Sequence, residues 1–217
     1  MKKYETNTCY HCNEDGKTPD HVPPKCLFPD GPNWSQMTTV PSCEAHNEPY
    51  SKADEYLKFV LGSSTLNAPN SIEGDVARGI VRLALMKSRN LHRKGIRWEG
   101  DELVIENDFE LDLELLSLGL KKIARGIYFH HHQGRRKLLG ELKAWPTFIA
   151  EDPTAPSDLV SEVRKIRAFT DTDFKELPKH GKYQDVFAYQ IIETAEIVVV
   201  NMEFYGINRA SVMGSTA

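Results

Sequence analysis

Two pairs of candidate metal ligands with the same spacing constrain the fold of the first fifth of the chain. Cys9 and Cys12 are separated by two residues, and Cys43 and His46 repeat that spacing. Two intervening residues let the backbone form a tight turn that directs both side chains at one ion. Three thiolates with one imidazole suit tetrahedral zinc. The pattern therefore predicts a structural zinc ion that joins the two ends of the intervening segment and stabilises a small folded unit.

The alternative interpretation is that these positions are ordinary buried cysteines and that His46 is solvated. All four cysteines, the remaining one being Cys26, lie in the first fifth of the chain. In a reducing compartment such clustering favours metal binding over disulfide formation. Cys26 has no partner at ligand spacing and His11 lies inside the first pair. We interpret both as bystanders, either of which could act as a ligand in place of His46.

The composition is that of a soluble globular protein. Of its residues, 40% are hydrophobic and 27% are charged, which is ordinary for such a protein. A length of 217 residues is sufficient for one full domain plus a smaller one. No apolar run approaches the roughly 18–20 residues of a membrane span. The two lysines near the N-terminus are followed by no apolar stretch. We therefore expect no secretory signal and no membrane partner, and predict a cytoplasmic location.

Proline placement and hydrophobic patterning predict an α+β fold in three parts. Six prolines before residue 47 exclude a long helix there and favour short extended segments. A helix is predicted to begin at Ser51, and a linker is predicted from Gly62 to Asn70. We expect a zinc-bound module at 1–62, a mainly helical segment with basic patches at 72–145, and an α+β segment at 157–217.

The later parts carry the clearer periodic patterns. Helices are predicted over 72–95 and 108–132, with a hairpin between them over 96–106 that turns at 99–101. In the second helix the apolar residues near one face are Leu111, Leu115, Leu118, Ile123 and Ile127. Two or three antiparallel strands are predicted in the C-terminal part, from segments 186–192 and 196–205.

Charge is segregated along the chain. The net charge of −4 argues weakly against a nucleic-acid partner. However, residues 78–97 hold seven Lys or Arg and no acid, residues 101–114 hold seven acids and no base, and residues 121–143 hold seven Lys or Arg against Glu141 alone. The two basic blocks could each face a phosphate backbone. Alternatively, basic and acidic blocks pair on solvated helix faces.

The residues between and behind the two ligand pairs resemble a known family. Asp20-His21-Val22-Pro23 lies between the pairs, and Asn47 directly follows His46. This order over residues 8–60 is similar to that of the zinc-bearing HNH, or ββα-metal, nucleases. The resemblance implies a small zinc-bound ββα-metal module, followed here by a helical segment and a C-terminal antiparallel β segment.

The resemblance also implies roles for three residues. His21 would be the general base that takes a proton from the attacking water, since a neutral imidazole has a suitable pKa near neutrality. Asp20 and Asn47 would hold one catalytic divalent ion, Mg²⁺ or Mn²⁺, through oxygen atoms. Because neighbouring strand residues point to opposite faces, a twist or bulge must re-aim Asp20 or His21.

The sequence departs from the family pattern at one position. Nine residues before Asn47 the family usually has another asparagine, which orients the base histidine, and here that position is Thr38. Other interpretations of these residues are that His21 is a solvated turn residue and that Asn47 only caps the next helix. Asp54 or Glu55 could be an accessory ligand, although capping and solvation are the favoured interpretation.

Two functions are favoured over a third, a scaffold that binds no nucleic acid and would show no salt-dependent DNA binding. The first is a metal-dependent HNH endonuclease that hydrolyses phosphodiester bonds of DNA, with RNA as the less favoured substrate; a symmetric homodimer is expected if it cuts both strands. The second is a zinc-stabilised nucleic-acid-binding adaptor without turnover. Because residues 1–60 are acidic, we expect nucleic acid to be held largely by later basic residues. The candidate contacts are Lys25, Arg89, Arg93, Arg125, Arg135 and Arg136.

Overall fold

A computed structural model of the chain describes residues 4–29, 36–47, 50–66, 96–99, 102–105, 111–151 and 157–215. In these ranges the fold is mixed α+β, with three α-helices and antiparallel sheets, as the sequence predicts. The helix predicted over 72–95, including Arg89 and Arg93, lies outside the described residues. In the ranges that are described, no helix has the length and apolar character needed to cross a membrane.

The N-terminal part is a short hairpin followed by a helix. Strand β1 (Thr18–His21) pairs antiparallel with β2 (Thr39–Ser42), so that His21 lies opposite Thr39. Two 3-10 helices, Lys25–Leu27 and Glu44–His46, occupy part of the proline-rich region. Helix α1 (Ser51–Leu66) then begins at the predicted residue.

Helix α1 continues beyond Gly62, so the predicted start of the linker is wrong. The side chain of Asn208 explains the extension. Its Oδ1 accepts a hydrogen bond from Ser64 Oγ at 2.7 Å, and its Nδ2 donates to Thr65 Oγ1 at 2.6 Å. Thr65 in turn donates to the carbonyl of Leu61. Tertiary contacts therefore hold as helix a segment whose composition favours a loop.

Two further elements in the middle of the chain match their predicted type. Strands β3 (Ile96–Glu99) and β4 (Glu102–Ile105) form the predicted hairpin, with Glu99 opposite Glu102. Helix α2 (Leu113–His131) is capped by Asp112, whose carboxylate accepts a hydrogen bond from the backbone N–H of Leu115 at 2.9 Å.

Helix α2 supplies much of the central core. Its fully buried apolar residues are Leu116, Leu120, Ile123, Ala124, Ile127 and Phe129. Leu118, which the sequence placed near the buried face, is 39% exposed, so the buried face is rotated from the one predicted. The same hydrophobic cluster includes residues of the N-terminal hairpin, such as Val22 and Val40, and of the C-terminal sheet, such as Val200.

The C-terminal part is a four-stranded antiparallel sheet with one helix. Its strands are β5 (Lys143–Trp145), β6 (Phe187–Glu193), β7 (Ile197–Phe204) and β8 (Asn208–Ser215), in the order β5-β8-β7-β6. Strands β6 and β7 confirm the two predicted segments. Helix α3 (Ser157–Glu176) buries Val163 beside Trp145. Gln190 Nε2 donates to the carbonyls of Asp173 and Leu177, near the end of that helix.

Close contact between α2 and the N-terminal hairpin requires a glycine at position 126. A Cβ added there would lie 2.6 and 2.8 Å from the two methyl groups of Val22. We predict that Gly126→Ala destabilises the protein by about 1–3 kcal/mol, because overpacking outweighs the gain in helix propensity. Urea unfolding of Gly126→Ala, of Val22→Ala and of the double variant Val22→Ala/Gly126→Ala measures this effect. In the Val22→Ala background the second substitution should cost less; an equal cost in both backgrounds contradicts the proposed clash.

Candidate metal centre and neighbouring buried charges

The two predicted ligand pairs come together in one cluster. The ligand atoms of Cys9, Cys12, Cys43 and His46 all lie within 4.8 Å of one another. The sulfurs of Cys12 and Cys43 are 3.8 Å apart, and His46 Nδ1 lies 3.1 Å from Cys43 Sγ and 3.7 Å from Cys9 Sγ. Tetrahedral zinc ligands would be separated by about 3.8 Å between sulfurs and about 3.6 Å between sulfur and nitrogen. This cluster could therefore hold a metal ion such as zinc.

The surroundings of the cluster support thiolate ligands. The backbone N–H of His11 donates to Cys9 Sγ at 3.4 Å. Burial acts to raise the pKa of Cys9, but hydrogen bonds from backbone N–H groups outweigh it and lower that pKa. Lys137 Nζ donates to the carbonyl of Cys12 at 2.6 Å and to Thr8 Oγ1 at 2.8 Å. Three thiolates carry one more negative charge than a divalent ion neutralises. The ammonium of Lys137 lies beside this ligand set and can offset the excess.

The two bystander residues lie outside the cluster. The ring of His11 is 3.9 Å from the ring of His46, and its Nε2 lies 3.3 Å from the hydroxyl of Tyr50. Burial, followed by the positive charge of Arg125, lowers the pKa of His11 to about 4. The thiol of Cys26 faces the carbonyl of Asp54 at 3.6 Å, and burial raises its pKa to about 12. The thiol of Cys26 therefore stays protonated near neutral pH.

Asp20 is a buried carboxylate held from two sides. It is 6% exposed. Its Oδ2 accepts a hydrogen bond from the hydroxyl of Tyr10 at 3.0 Å, and its Oδ1 lies 3.3 Å from Lys122 Nζ. Burial raises the pKa of Asp20, while Lys122 and Tyr10 act to lower it. Both partners thus favour the ionised carboxylate against the cost of its burial.

Lys122 connects Asp20 to a second carboxylate. Its Nζ donates to Asp54 Oδ2 at 2.7 Å, and the Lys122 side chain is only 2% exposed. The same ammonium lies 5.5 Å from the ring centroid of Tyr50. Burial raises the pKa of Asp54 to about 6, against the effect of Lys122. The side chain of Asp54 thus joins α1 to α2.

Sequence reasoning missed Lys122 and Tyr10. Lys122 belongs to a block interpreted only as a basic surface, yet it lies three residues after Gly119 and four before Gly126. A charged residue between two glycines on one helix face could have indicated close packing at that side chain. Tyr10 lies between two metal ligands, and no sequence pattern indicates what its hydroxyl contacts.

His21 and Asn47 have different neighbours from Asp20. His21 is partly exposed, whereas Asp20 before it is buried, as expected for alternate faces of a strand. Burial, followed by the charge of Lys25, lowers the pKa of His21. Asn47 Nδ2 donates to Thr18 Oγ1 at 2.9 Å, and Thr18 lies two residues before Asp20 on the same strand. The backbone carbonyl of Thr38 accepts a hydrogen bond from the N–H of Val22 at 3.0 Å.

Asp20, Asp54 and Asn47 offer oxygen atoms of the kind that a hard divalent ion binds. A carboxylate has about four lone-pair sites, and Asp20 uses two of them. Asp54 Oδ1 is buried and has no hydrogen-bond partner in the part of the chain that the structure describes. The amide oxygen of Asn47 is a further hard donor of the kind that Mg²⁺ and Mn²⁺ bind.

The predicted nucleic-acid contacts divide into exposed and buried residues. Arg135 and Arg136 have side chains that are 60% and 57% exposed, paired with Glu5 and Glu193, and Lys25 is also exposed. Arg125 is 8% exposed, and its guanidinium donates to the carbonyl of Gly140 at 2.8 Å. We therefore correct the assignment of Arg125, because a side chain buried in this way does not present its charge to a phosphate backbone.

The three consecutive histidines at the end of α2 point in different directions. His130 Nδ1 lies 2.9 Å from the hydroxyl of Tyr4. The ring of His131 contacts His180, and His132 Nε2 lies 3.4 Å from Glu193 Oε2. Among the described residues, three or more ligand atoms of His, Cys, Asp or Glu come together only in the cluster of Cys9, Cys12, Cys43 and His46.

Comparison of the chain with protein-family models, curated proteins and solved structures finds no match.

We predict that Cys43→Ala loses the bound metal and unfolds the N-terminal unit, because three remaining ligands no longer close the segment between the pairs. His21→Ala should retain both the zinc and the fold. Zinc content by mass spectrometry and thermal unfolding by circular dichroism measure the two effects. A Cys43→Ala variant with wild-type thermal stability would count against a structural metal.

We also predict that Lys122→Met destabilises the protein by about 3–5 kcal/mol, because it leaves two buried carboxylates without their shared cation. Lys121→Met, the same substitution at the preceding helix position, should change stability by less than about 0.5 kcal/mol. Urea unfolding at pH 7 compares the two variants. Equal effects would show that Lys122 contributes nothing through its charge pairing.

Proposed function

We propose that this protein is a metal-dependent HNH endonuclease that hydrolyses phosphodiester bonds of DNA. The observation that carries the proposal is the order of the N-terminal elements around the metal cluster. An antiparallel hairpin, β1 and β2, is followed by helix α1, and the cluster ligands flank the hairpin. Two strands and a helix in this order are what the resemblance to ββα-metal nucleases implies, and His21 ends the first strand.

In this proposal His21 is the general base. A base that activates water must be unprotonated at the working pH. The lowered pKa of His21, caused by burial and by Lys25, supports a neutral imidazole near pH 7. The side chain is also partly exposed, which leaves it accessible to a water molecule and a phosphate.

Asp20 and Asn47 would hold the divalent ion, Mg²⁺ or Mn²⁺. When bound, such an ion neutralises charge on the phosphate and on the leaving oxygen. The protein's part is to keep the carboxylate of Asp20 ionised and oriented, which the hydrogen bond from Tyr10 and the charge of Lys122 support. The hydrogen bond from Asn47 Nδ2 to Thr18 leaves its amide oxygen for a ligand.

Exposed Lys and Arg side chains would bind the phosphate backbone of DNA. Lys25, Arg135 and Arg136 are the predicted contacts that lie on the surface among the described residues. The two arginines pair with Glu5 and Glu193, yet more than half of each arginine side chain is exposed, so that both can reach a phosphate. Arg89 and Arg93, which belong to the basic block at 78–97, are proposed as further phosphate contacts.

The second candidate function is a zinc-stabilised nucleic-acid-binding adaptor without turnover. One observation favours it: Asp20 is buried, and each of its oxygens already has a partner. An adaptor would keep the hairpin and the basic surface as a binding platform. It would bind DNA with an affinity that falls steeply as salt concentration rises, and it would leave the DNA intact.

We predict that purified protein nicks supercoiled plasmid in the presence of Mg²⁺ or Mn²⁺ and that His21→Ala reduces the rate by at least about 100-fold, since general-base catalysis typically contributes 10²–10⁴-fold. Gel electrophoresis of plasmid over time measures the rate. His180→Ala replaces an exposed histidine outside the proposed site and serves as the matched control.

Two results would contradict the catalytic assignment. One is equal nicking by wild type and His21→Ala, which would point to a contaminating nuclease. The other is the absence of nicking on DNA and RNA by a zinc-loaded, folded protein. Salt-dependent DNA binding without nicking would identify the adaptor.

A further inference from the structure

Tyr10 connects the metal cluster to Asp20. It lies between the ligands Cys9 and Cys12 and is fully buried. Its backbone N–H donates to the carbonyl of Pro41 on β2 at 2.8 Å. Its hydroxyl donates to Asp20 Oδ2 at 3.0 Å. One residue of the ligand turn is therefore fixed to both strands of the hairpin, once through its backbone and once through its side chain.

The two partners of Asp20 come from different parts of the fold. Tyr10 approaches Oδ2 from the ligand turn, and Lys122 approaches Oδ1 from α2. A hydrogen bond to one oxygen of a carboxylate fixes the plane of the whole group, which decides where its remaining lone pairs point. Hydrogen-bond partners of this kind commonly govern how tightly a ligating carboxylate binds its ion.

We propose that Tyr10 is a positioning residue that orients the carboxylate of Asp20 toward a divalent ion and so couples that site to the Cys/His cluster. The proposal rests on the role of Asp20 in the proposed function. Tyr10 acts only through Asp20, since its buried hydroxyl reaches no substrate. Because Cys9 and Cys12 flank it, an ordered ligand turn holds the ring in place.

The test is direct binding of Mn²⁺, measured by electron paramagnetic resonance on the full-length, zinc-loaded chain without nucleic acid. Wild type, Tyr10→Phe, Asp20→Asn and Tyr205→Phe are titrated into the millimolar range. Tyr205 is the matched control, because it is also a buried tyrosine whose hydroxyl donates one hydrogen bond, to the carbonyl of Leu27 at 2.8 Å. Zinc content and thermal midpoint are recorded for every variant.

Tyr10→Phe is expected to bind Mn²⁺ about 10-fold more weakly than the wild type, the lower end of the range for loss of such a partner. Asp20→Asn should lose the binding. Tyr205→Phe should bind as the wild type does, although its thermal midpoint should fall about as much as that of Tyr10→Phe.

Three results would overturn the proposal: equal Mn²⁺ affinity of Tyr10→Phe and Tyr205→Phe, wild-type affinity in Asp20→Asn, or no Mn²⁺ binding by the wild type. The nicking assay separates this outcome from the proposed function. If the wild type nicks DNA and Tyr10→Phe binds Mn²⁺ normally, the nuclease proposal stands and the positioning role of Tyr10 is wrong. If Tyr10→Phe binds Mn²⁺ more weakly and the wild type nicks nothing, the positioning role stands and the nuclease proposal is wrong.

Discussion

Closure of the segment between Cys12 and Cys43 by one cluster of ligands is the constraint on which the N-terminal structure depends. The two strands of the hairpin have four residues each, and an isolated two-stranded hairpin is only marginally stable in water. Bringing the ligand pairs together fixes both ends of this hairpin and removes much of the chain's freedom when unfolded. The hairpin can then pack Val22 against Gly126 of α2, a contact that tolerates little displacement.

The buried charges around Lys122 place a second constraint on the hairpin. Burying an ammonium and two carboxylates is costly, and their attraction offsets the cost only when the groups are well placed. Here the placement comes from three elements: β1 carries Asp20, α1 carries Asp54 and α2 carries Lys122. A displacement of any one element leaves a charge unpaired in the interior. The triad therefore favours one arrangement of the hairpin and the two helices over other arrangements of equal hydrophobic burial.

The sequence predicted the parts of this molecule that depend on local pattern. The ligand spacing of Cys9, Cys12, Cys43 and His46 identified the cluster, since each pair is set by two intervening residues. Periodicity identified α2 and strands β6 and β7. It did not identify the extension of α1, which depends on Asn208, more than a hundred residues away in the sequence. The burial of Arg125 and the partners of Asp20 were missed for the same reason, because both depend on tertiary contacts that no local spacing encodes.

The position of Lys122 has a consequence for the order in which the chain can assemble. Asp54 and its cation are 68 residues apart in the sequence, and Asp20 lies further still from the same ammonium. During synthesis the hairpin and α1 emerge from the ribosome well before α2, so the two carboxylates are first exposed to water without their counter-ion. The four Cys and His ligands of the cluster are all present at that stage, but the inner face of the hairpin can be buried only after α2 has been made. Complete burial of the N-terminal unit therefore requires a helix that lies in the middle of the chain.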